Sequence, residues 1–409
     1  MTAGSETEAA GRTPTLASFQ VPAFRIIWAG TFLYYLAIFS GIVARGALAK
    51  ELGGDNAALG LVTLAFGVVS LVMTPIGGVL ADRVSKRLLI VASTSLLAVS
   101  SVFLGITEVF DITQFWMLVV VSAIQAVAFS SLVPARMAFT VDIVGPDLIP
   151  NAVALAQISM NSNRVIGPAL AGAFLGVAWL GFAGIYLFGA VLSILAVVFF
   201  LRLDEGMPRA GRPRRDPLAE MRDGFSYALS VPPVRIVILL AIGVTMVGFP
   251  YITFLPSVSD DFYGRGPEGF AMLSLVGAVG GLIAGVAVAR TVLAQGPTVQ
   301  LISGVGLGFA LVFLAWASSF AMSLAAVFCV GLCTAAFQSM NATMALSLSD
   351  SEYHGRMQSL LGLGFSAFGL VSYPLGELAD AIGLRETFVL MGIVTIAMVL
   401  TAEVFRRRI

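Results

Sequence analysis

Twelve stretches of about 20 mostly apolar residues, separated by short polar turns, leave this chain few ways to fold. They run near 24–46, 57–80, 88–106, 114–137, 152–178 and 180–202, then near 235–257, 268–290, 298–318, 321–346, 356–379 and 386–405. Each is long enough to cross a hydrocarbon core of about 30 Å as a helix. The expectation is an all-α polytopic membrane protein. Of the 409 residues, 58% are hydrophobic and 11% charged, against about 25% charged in an average soluble domain. That balance excludes a cytosolic enzyme, a nucleic-acid binder and a disulfide-rich secreted domain.

Little in the chain suggests catalysis or a cofactor. Cys329 and Cys333 stand four apart in an apolar stretch and read as packing residues. His354 is the single histidine and lies in a polar connection. There is no nucleotide-binding loop of the G-x-x-x-x-G-K-[ST] type. Four segments are expected: a polar, disordered cytoplasmic tail at 1–20, a six-span half at 21–202, a linker at 203–234 and a second six-span half at 235–409. The linker carries RAGRPRRD and then PLAEMRDGFSYALS, an amphipathic pattern suited to a membrane surface.

Orientation follows from the cations. With the N-terminus inside, inner segments hold 18 of the 23 Lys and Arg, including Arg83, Lys86, Arg87, Arg136, Arg356 and Arg406. Outer segments hold Arg45, Lys50, Arg265 and Arg385, and Arg164 falls within a span. The bias predicts that both termini are cytoplasmic. Arginine outnumbers lysine 21 to 2, a usage that hints at a GC-rich bacterial genome and hence a bacterial inner membrane.

The halves echo each other. GVLADR at 78–83 faces GVAVAR at 285–290, FRIIW at 24–28 faces VRIVI at 234–238, and ALAG after Pro168 faces LGEL after Pro374, at offsets of 207, 210 and 206. Two six-span repeats related by an axis along the membrane normal are a recurrent transporter architecture, with the substrate held between them at mid-depth.

The connection after the second span reads GVLADRVSKR over 78–87. It resembles the loop signature of the major facilitator superfamily, G-x-L-a-D-r-x-G-r-k, in Gly78, Leu80, Asp82, Arg83, Lys86 and Arg87; Ser85 replaces the usual glycine. The resemblance extends over nearly the whole chain and implies the major facilitator fold. It also implies that this loop latches the halves in the outward-open state. Asp142 is the expected partner of Arg83, and the plainer alternative is a positive-inside anchor alone. In span five, Gly167, Pro168 and Gly172 partly match the G-P-x-x-G-G end of a motif found in proton-driven antiporters of the superfamily; ordinary helix packing is the alternative. The run PNAVALAQISMNSNRVIGPALAG at 150–172, with HGRMQSL at 354–360, is similar to the group of efflux permeases that includes the enterobactin exporter. That likeness implies export of a small amphiphile, drug or siderophore-like, by a monomer.

Arg164 stands about 12 residues, or roughly 18 Å, into span five. Arginine at that depth costs at least about 2.5–3.5 kcal/mol unless it faces a cavity or a partner. Gln157, Asn161 and Arg164 share one helical stripe. They read as a ligand site or gate, or else as a structural arginine bonded to its neighbours. The resemblance places spans one, four, seven and ten around the cavity. Tyr34, Tyr35, Gln125, Thr245, Gln338 and Asn341 are the polar and aromatic candidates at comparable depth. Proton coupling needs an acid that changes protonation, yet none sits at mid-depth; Glu377 is the best remaining candidate. The leading expectation is proton-coupled export of a small molecule. The alternatives are a metabolite importer or uniporter, and a membrane sensor or scaffold with a transporter-like body.

Overall fold

The computed structural model describes residues 16–177, 179–205, 217–288 and 295–408, without the side chains of Asp82, 217–220, Ser351 and Phe365. Among these residues there are no strands. The helices are α1 (Pro22–Gly53), α2 (Asn56–Arg83), α3 (Lys86–Val109), α4 (Phe115–Val144), α5 (Ile149–Leu175), α6 (Gly181–Leu201), α7 (Pro217–Ser230), α8 (Pro232–Gly248), α9 (Tyr251–Tyr263), α10 (Gly266–Val288), α11 (Gly296–Trp316), α12 (Phe320–Ser347), α13 (His354–Ile382) and α14 (Leu384–Arg406).

Among the described residues, eleven helices are long and apolar enough to span a bilayer, counting α8 and α9 as one. Pro250 interrupts that pair because it cannot donate to the preceding turn. The 27-residue α5 also has the length, but its stripe of amides and an arginine dilutes its apolar character. Short polar caps set several boundaries. Asp55 accepts from the Ala58 amide at 2.7 Å to start α2. Ser85 accepts from the Leu88 amide at 3.4 Å, so the serine that replaces glycine in the loop signature caps α3.

Many helices run past the apolar stretches that mark them. α1 continues to Gly53 and α4 to Val144, which places Arg45 and Arg136 about two turns inside helices. Both were expected in the connections. Each is 7% exposed.

α1–α6 form one half and α8–α14 the other. One end of the bundle carries residue 16 and residue 408; it is called the terminal end, and its opposite the far end. At the far end the halves share one apolar cluster, in which Val43, Leu48, Leu59 and Leu118 meet Leu255, Val258 and Phe270. At the terminal end they do not. Phe24, Tyr34, Phe139 and Phe200 form a separate cluster in the first half, and Val234, Met344 and Leu360 another in the second. The bundle is closed at the far end and parted at the terminal end.

One expectation for the tail and one for the linker are modified. Ala17–Gln20, placed in a disordered tail, forms a short 3-10 helix whose Ser18 amide donates to Asn151 Oδ1 at 3.0 Å. The amphipathic α7 packs one face onto protein: Asp223 pairs with Arg356 at 2.5 Å, and Tyr227 stacks on Tyr353 at 3.8 Å. Residues 1–15 and the basic RAGRPRRD run lie outside the described residues.

Candidate functional site

The polar stripe of α5 is not covered by other parts of the protein. Gln157, Asn161 and Arg164 are all exposed, while Ser159 and Asn163 on the opposite side of α5 are buried. Two close approaches fix where the stripe points. Gly167 meets Phe39 of α1, and Gly172 meets Ala271 of α10 in the other half. The stripe falls between these two directions, facing the gap between the halves.

Aromatic rings of α1 support the cations. Arg164 lies 5.9 Å from the Phe39 ring centre, and Arg136 of α4 lies 5.6 Å from that of Tyr35. The Tyr35 and Phe39 rings are 6.0 Å apart. Neither arginine has a carboxylate partner among the described residues. Two guanidinium groups therefore flank one aromatic edge, and no described carboxylate pairs with either. Such an arrangement attracts an anion or an oxygen-rich acceptor.

The far end is shut by polar bonds between halves. Asp380 of α13 accepts from the Asn56 amide at 3.0 Å, from Asn56 Nδ2 at 2.8 Å and from the Ala57 amide at 2.8 Å. Lys50 pairs with Asp261 at 2.9 Å. Deeper in the seam, Thr63 meets Thr253 at 3.3 Å and Ser366 meets Ser70 at 3.3 Å. Toward the terminal end this contact stops: a side chain added at Gly78 or Gly362 would meet nothing within 4 Å.

Several expected cavity residues are occupied elsewhere. Gln125 is buried and accepts from the Arg45 guanidinium inside the first half. Asn341 is buried and accepts from Gln300 Nε2 at 2.6 Å, while the Arg406 guanidinium donates to Gln300 Oε1. Those two amides satisfy buried polar groups and are not exposed to the gap in this structure. Thr245 donates to the Ala241 carbonyl at 2.7 Å and packs beside Gly364. Tyr34 and Tyr35 are buried, and Gln338 is half-buried. Glu377 is exposed beside Tyr373 near the far end, away from the middle of the bundle.

The loop after α2 is also rearranged relative to expectation. Asp142 pairs with Lys86 at 2.6 Å, not with Arg83. The extended residue Val84 ends α2 and starts the turn into α3. Lys86, first in α3, thereby reaches the last turn of α4, and Arg83 is left exposed. Arg87 donates to the Leu203 carbonyl at 2.9 Å. The Asp82 side chain lies outside the described residues.

Sequence reasoning missed the burial of Arg136 and Arg45 and the bonds of Asp380 across the halves. Apolar residues continue past each arginine, but the charge itself reads as a helix end.

The Staphylococcus aureus (strain NCTC 8325 / PS 47) staphyloferrin A transporter is 22% identical over 389 residues, covering 94% of this chain and 96% of the relative. The Shigella boydii serotype 18 (strain CDC 3083-94 / BS512) enterobactin exporter EntS is 26% identical over 271 residues, covering 64% of this chain and 63% of the relative. Among solved structures, a bacterial homologue of the human lysosomal transporter Spinster, inward-facing and occupied, aligns with a TM-score of 0.75 at 16% identity, covering 97% of this chain and 98% of that one. The nucleoside transporter NupG aligns at 0.73 and 14% identity, covering 94% and 98%. The sequence profile of the Major Facilitator Superfamily matches residues 27–307 and 296–408, and the chain belongs to that superfamily of membrane transporters.

Proposed function

We propose that this protein exports a small anionic, oxygen-rich amphiphile by alternating access, with protons as the counter-ion and both termini in the cytoplasm. The observation that carries the reading is Arg164: an exposed residue on the polar stripe of α5, its guanidinium beside the Phe39 ring, with no ion pair among the described residues. Arg164 holds the acidic or oxygen-rich group of the substrate. Asn161 and Gln157 supply amide contacts about one and two turns away, and Phe39 supplies an apolar floor. The cation bias assigns the terminal end to the cytoplasm. The parted bundle is then poised to load from inside, and Gly167, Pro168 and Gly172 serve as the close crossing about which α5 moves against α1 and α10.

Energetics favour the outward direction. With the cell interior negative, an anion gains about 2.3 kcal/mol per charge for each 100 mV on leaving. Import of the same anion would have to work against that. Proton antiport adds the pH gradient, and Glu377 is the candidate acid. The siderophore names of the two relatives point to the same ligand chemistry, since those proteins are named for staphyloferrin A and enterobactin.

The test uses inverted vesicles with an acid lumen and a pH-sensitive dye. Catecholate and carboxylate siderophores and amphiphilic drugs are added singly. One compound should alkalinise the lumen with wild-type protein and not with Arg164→Gln protein inserted at equal level. Accumulation without a pH change would remove proton coupling. Uptake confined to right-side-out vesicles would reverse the direction.

A further inference from the structure

Arg136 lies where α1, α4 and α5 meet, on a different helix from the proposed substrate stripe. It is 7% exposed, its Nε has no hydrogen-bond partner, and no described carboxylate pairs with it. The Tyr35 ring 5.6 Å away offsets part of the cost of burying this charge. A single cation–π contact is weaker than the penalty for an arginine at membrane depth. The guanidinium is short of a partner.

Other groups at the junction share that deficit. Arg136 lines a small, partly enclosed cavity with Thr31, Thr140 and Ser159, and Trp28 closes one side. Thr31 Oγ1 and Ser159 Oγ are buried and without partners. The Thr140 hydroxyl is already committed to the Arg136 carbonyl at 2.9 Å. So three unsatisfied groups able to donate, one from each of three helices, converge on one cavity. They bring one positive charge and no negative charge. A cation would be repelled there. A lone water would satisfy the hydroxyls and leave the charge uncompensated. The cavity encloses about 10 Å³, far below the roughly 300–1,000 Å³ of pockets that hold whole organic ligands, so it has room for a single small group only.

We propose that Arg136, Thr31 and Ser159 form a binding site for one small monovalent anionic group, either a chloride ion or a single carboxylate. Occupancy neutralises Arg136 and ties α1, α4 and α5 together in the first half. The inference does not depend on the direction of transport or on the role of Arg164.

Trp28 lines the cavity and reports its occupancy. The chain has four tryptophans, so Trp116→Phe, Trp179→Phe and Trp316→Phe leave Trp28 as the single emitter. The full-length protein in nanodiscs, in sulfate buffer, is titrated separately with chloride and with acetate. A saturable change in Trp28 emission is expected, lost in Arg136→Gln and kept in Arg164→Gln. In Ser159→Ala the midpoint should rise about 3- to 10-fold, the effect of one lost hydrogen bond of about 1 kcal/mol. Ser159→Ala decides the matter if Arg136→Gln does not fold. Saturation by chloride, with acetate competing, identifies a shared small-anion site. Saturation by acetate alone assigns the site to a carboxylate, such as an acidic arm of a larger compound. A linear response to both salts, or an unchanged midpoint in Ser159→Ala, overturns the proposal.

Discussion

Asp380 completes the N-terminus of a helix in the opposite half: it accepts from the Asn56 amide at 3.0 Å and from Asn56 Nδ2 at 2.8 Å. The first turn of α2 exposes amide donors that its own chain cannot satisfy. Asp55 takes one, at Ala58, and Asp380 takes those of Asn56 and Ala57 from across the seam. Opening the far end must separate these partners. By comparison, Lys50–Asp261 is a weaker clasp, because Asp261 is 43% exposed and exposed ion pairs are worth about 0–1 kcal/mol. Replacing a capping carboxylate by alanine costs about 1 kcal/mol. Asp380→Ala should therefore raise the population open at the far end about fivefold. Spin labels on Gly54 and Ile382 would report it by distance measurement. An unchanged distribution would mean that the cap does not hold the gate.

Gly67 and Gly369 set the depth to which that closure reaches. A Cβ added to Gly67 would stand 2.7 Å from the Gly369 Cα and 2.8 Å from the Ser366 carbonyl oxygen. Those are backbone atoms and cannot rotate away. Small residues at such crossings let helices in a bilayer pack closely. Gly67→Leu should wedge α2 from α13 and stop transport while leaving membrane insertion normal. Labels across the far end should show a longer separation. Transport at the wild-type rate in Gly67→Leu would show that the halves do not need this approach.

Lys86 and Asp142 join the start of α3 to the end of α4 at 2.6 Å, with Lys86 only 6% exposed. This bond lies within one half, so alternating access need not break it. It should stabilise the first half whichever end is open. Lys86→Ala and Asp142→Ala should each lower the melting temperature, and the double-mutant cycle should return a coupling of about 0.5–3 kcal/mol. The exchange Lys86→Asp with Asp142→Lys should recover part of it. A coupling near zero would leave the pair as a surface contact.

The two buried arginines show where the sequence was legible and where it was not. Apolar stretches reveal that a segment crosses the membrane, since water cannot satisfy backbone groups there. They do not reveal where the helix stops. Arg45 and Arg136 look like ends because a charge usually marks the water boundary. Each is retained inside by a partner from a distant segment, Gln125 for Arg45 and the Tyr35 ring for Arg136. Such pairings depend on tertiary packing, and no local pattern encodes them. Arg164 was readable because its stripe is local: Gln157, Asn161 and Arg164 recur at helical spacing on one element. Asp380 was visible as an acid near a helix end, but its partners stand 323 and 324 residues away.

Asn341 provides the sharpest separation between packing and ligand contact. Its place on the expected tenth span suited a cavity residue, yet it lies six residues from the end of α12 and is 2% exposed. Its Oδ1 accepts from Gln300 at 2.6 Å, and its Nδ2 donates to the Phe337 carbonyl at 2.8 Å. Gln300 in turn receives Arg406 of α14, so α11, α12 and α14 meet through one amide chain. Asn341→Ala removes an acceptor and strands the buried Nε2 of Gln300. An unsatisfied buried donor costs about 1–3 kcal/mol. The variant should melt several degrees lower and still bind substrate with unchanged affinity at a temperature where it remains folded. Asn341→Asp keeps the acceptor and should lose less stability if the carboxylate stays ionised beside Gln300 and Arg406. A variant that keeps its melting temperature and loses affinity would return Asn341 to the substrate site.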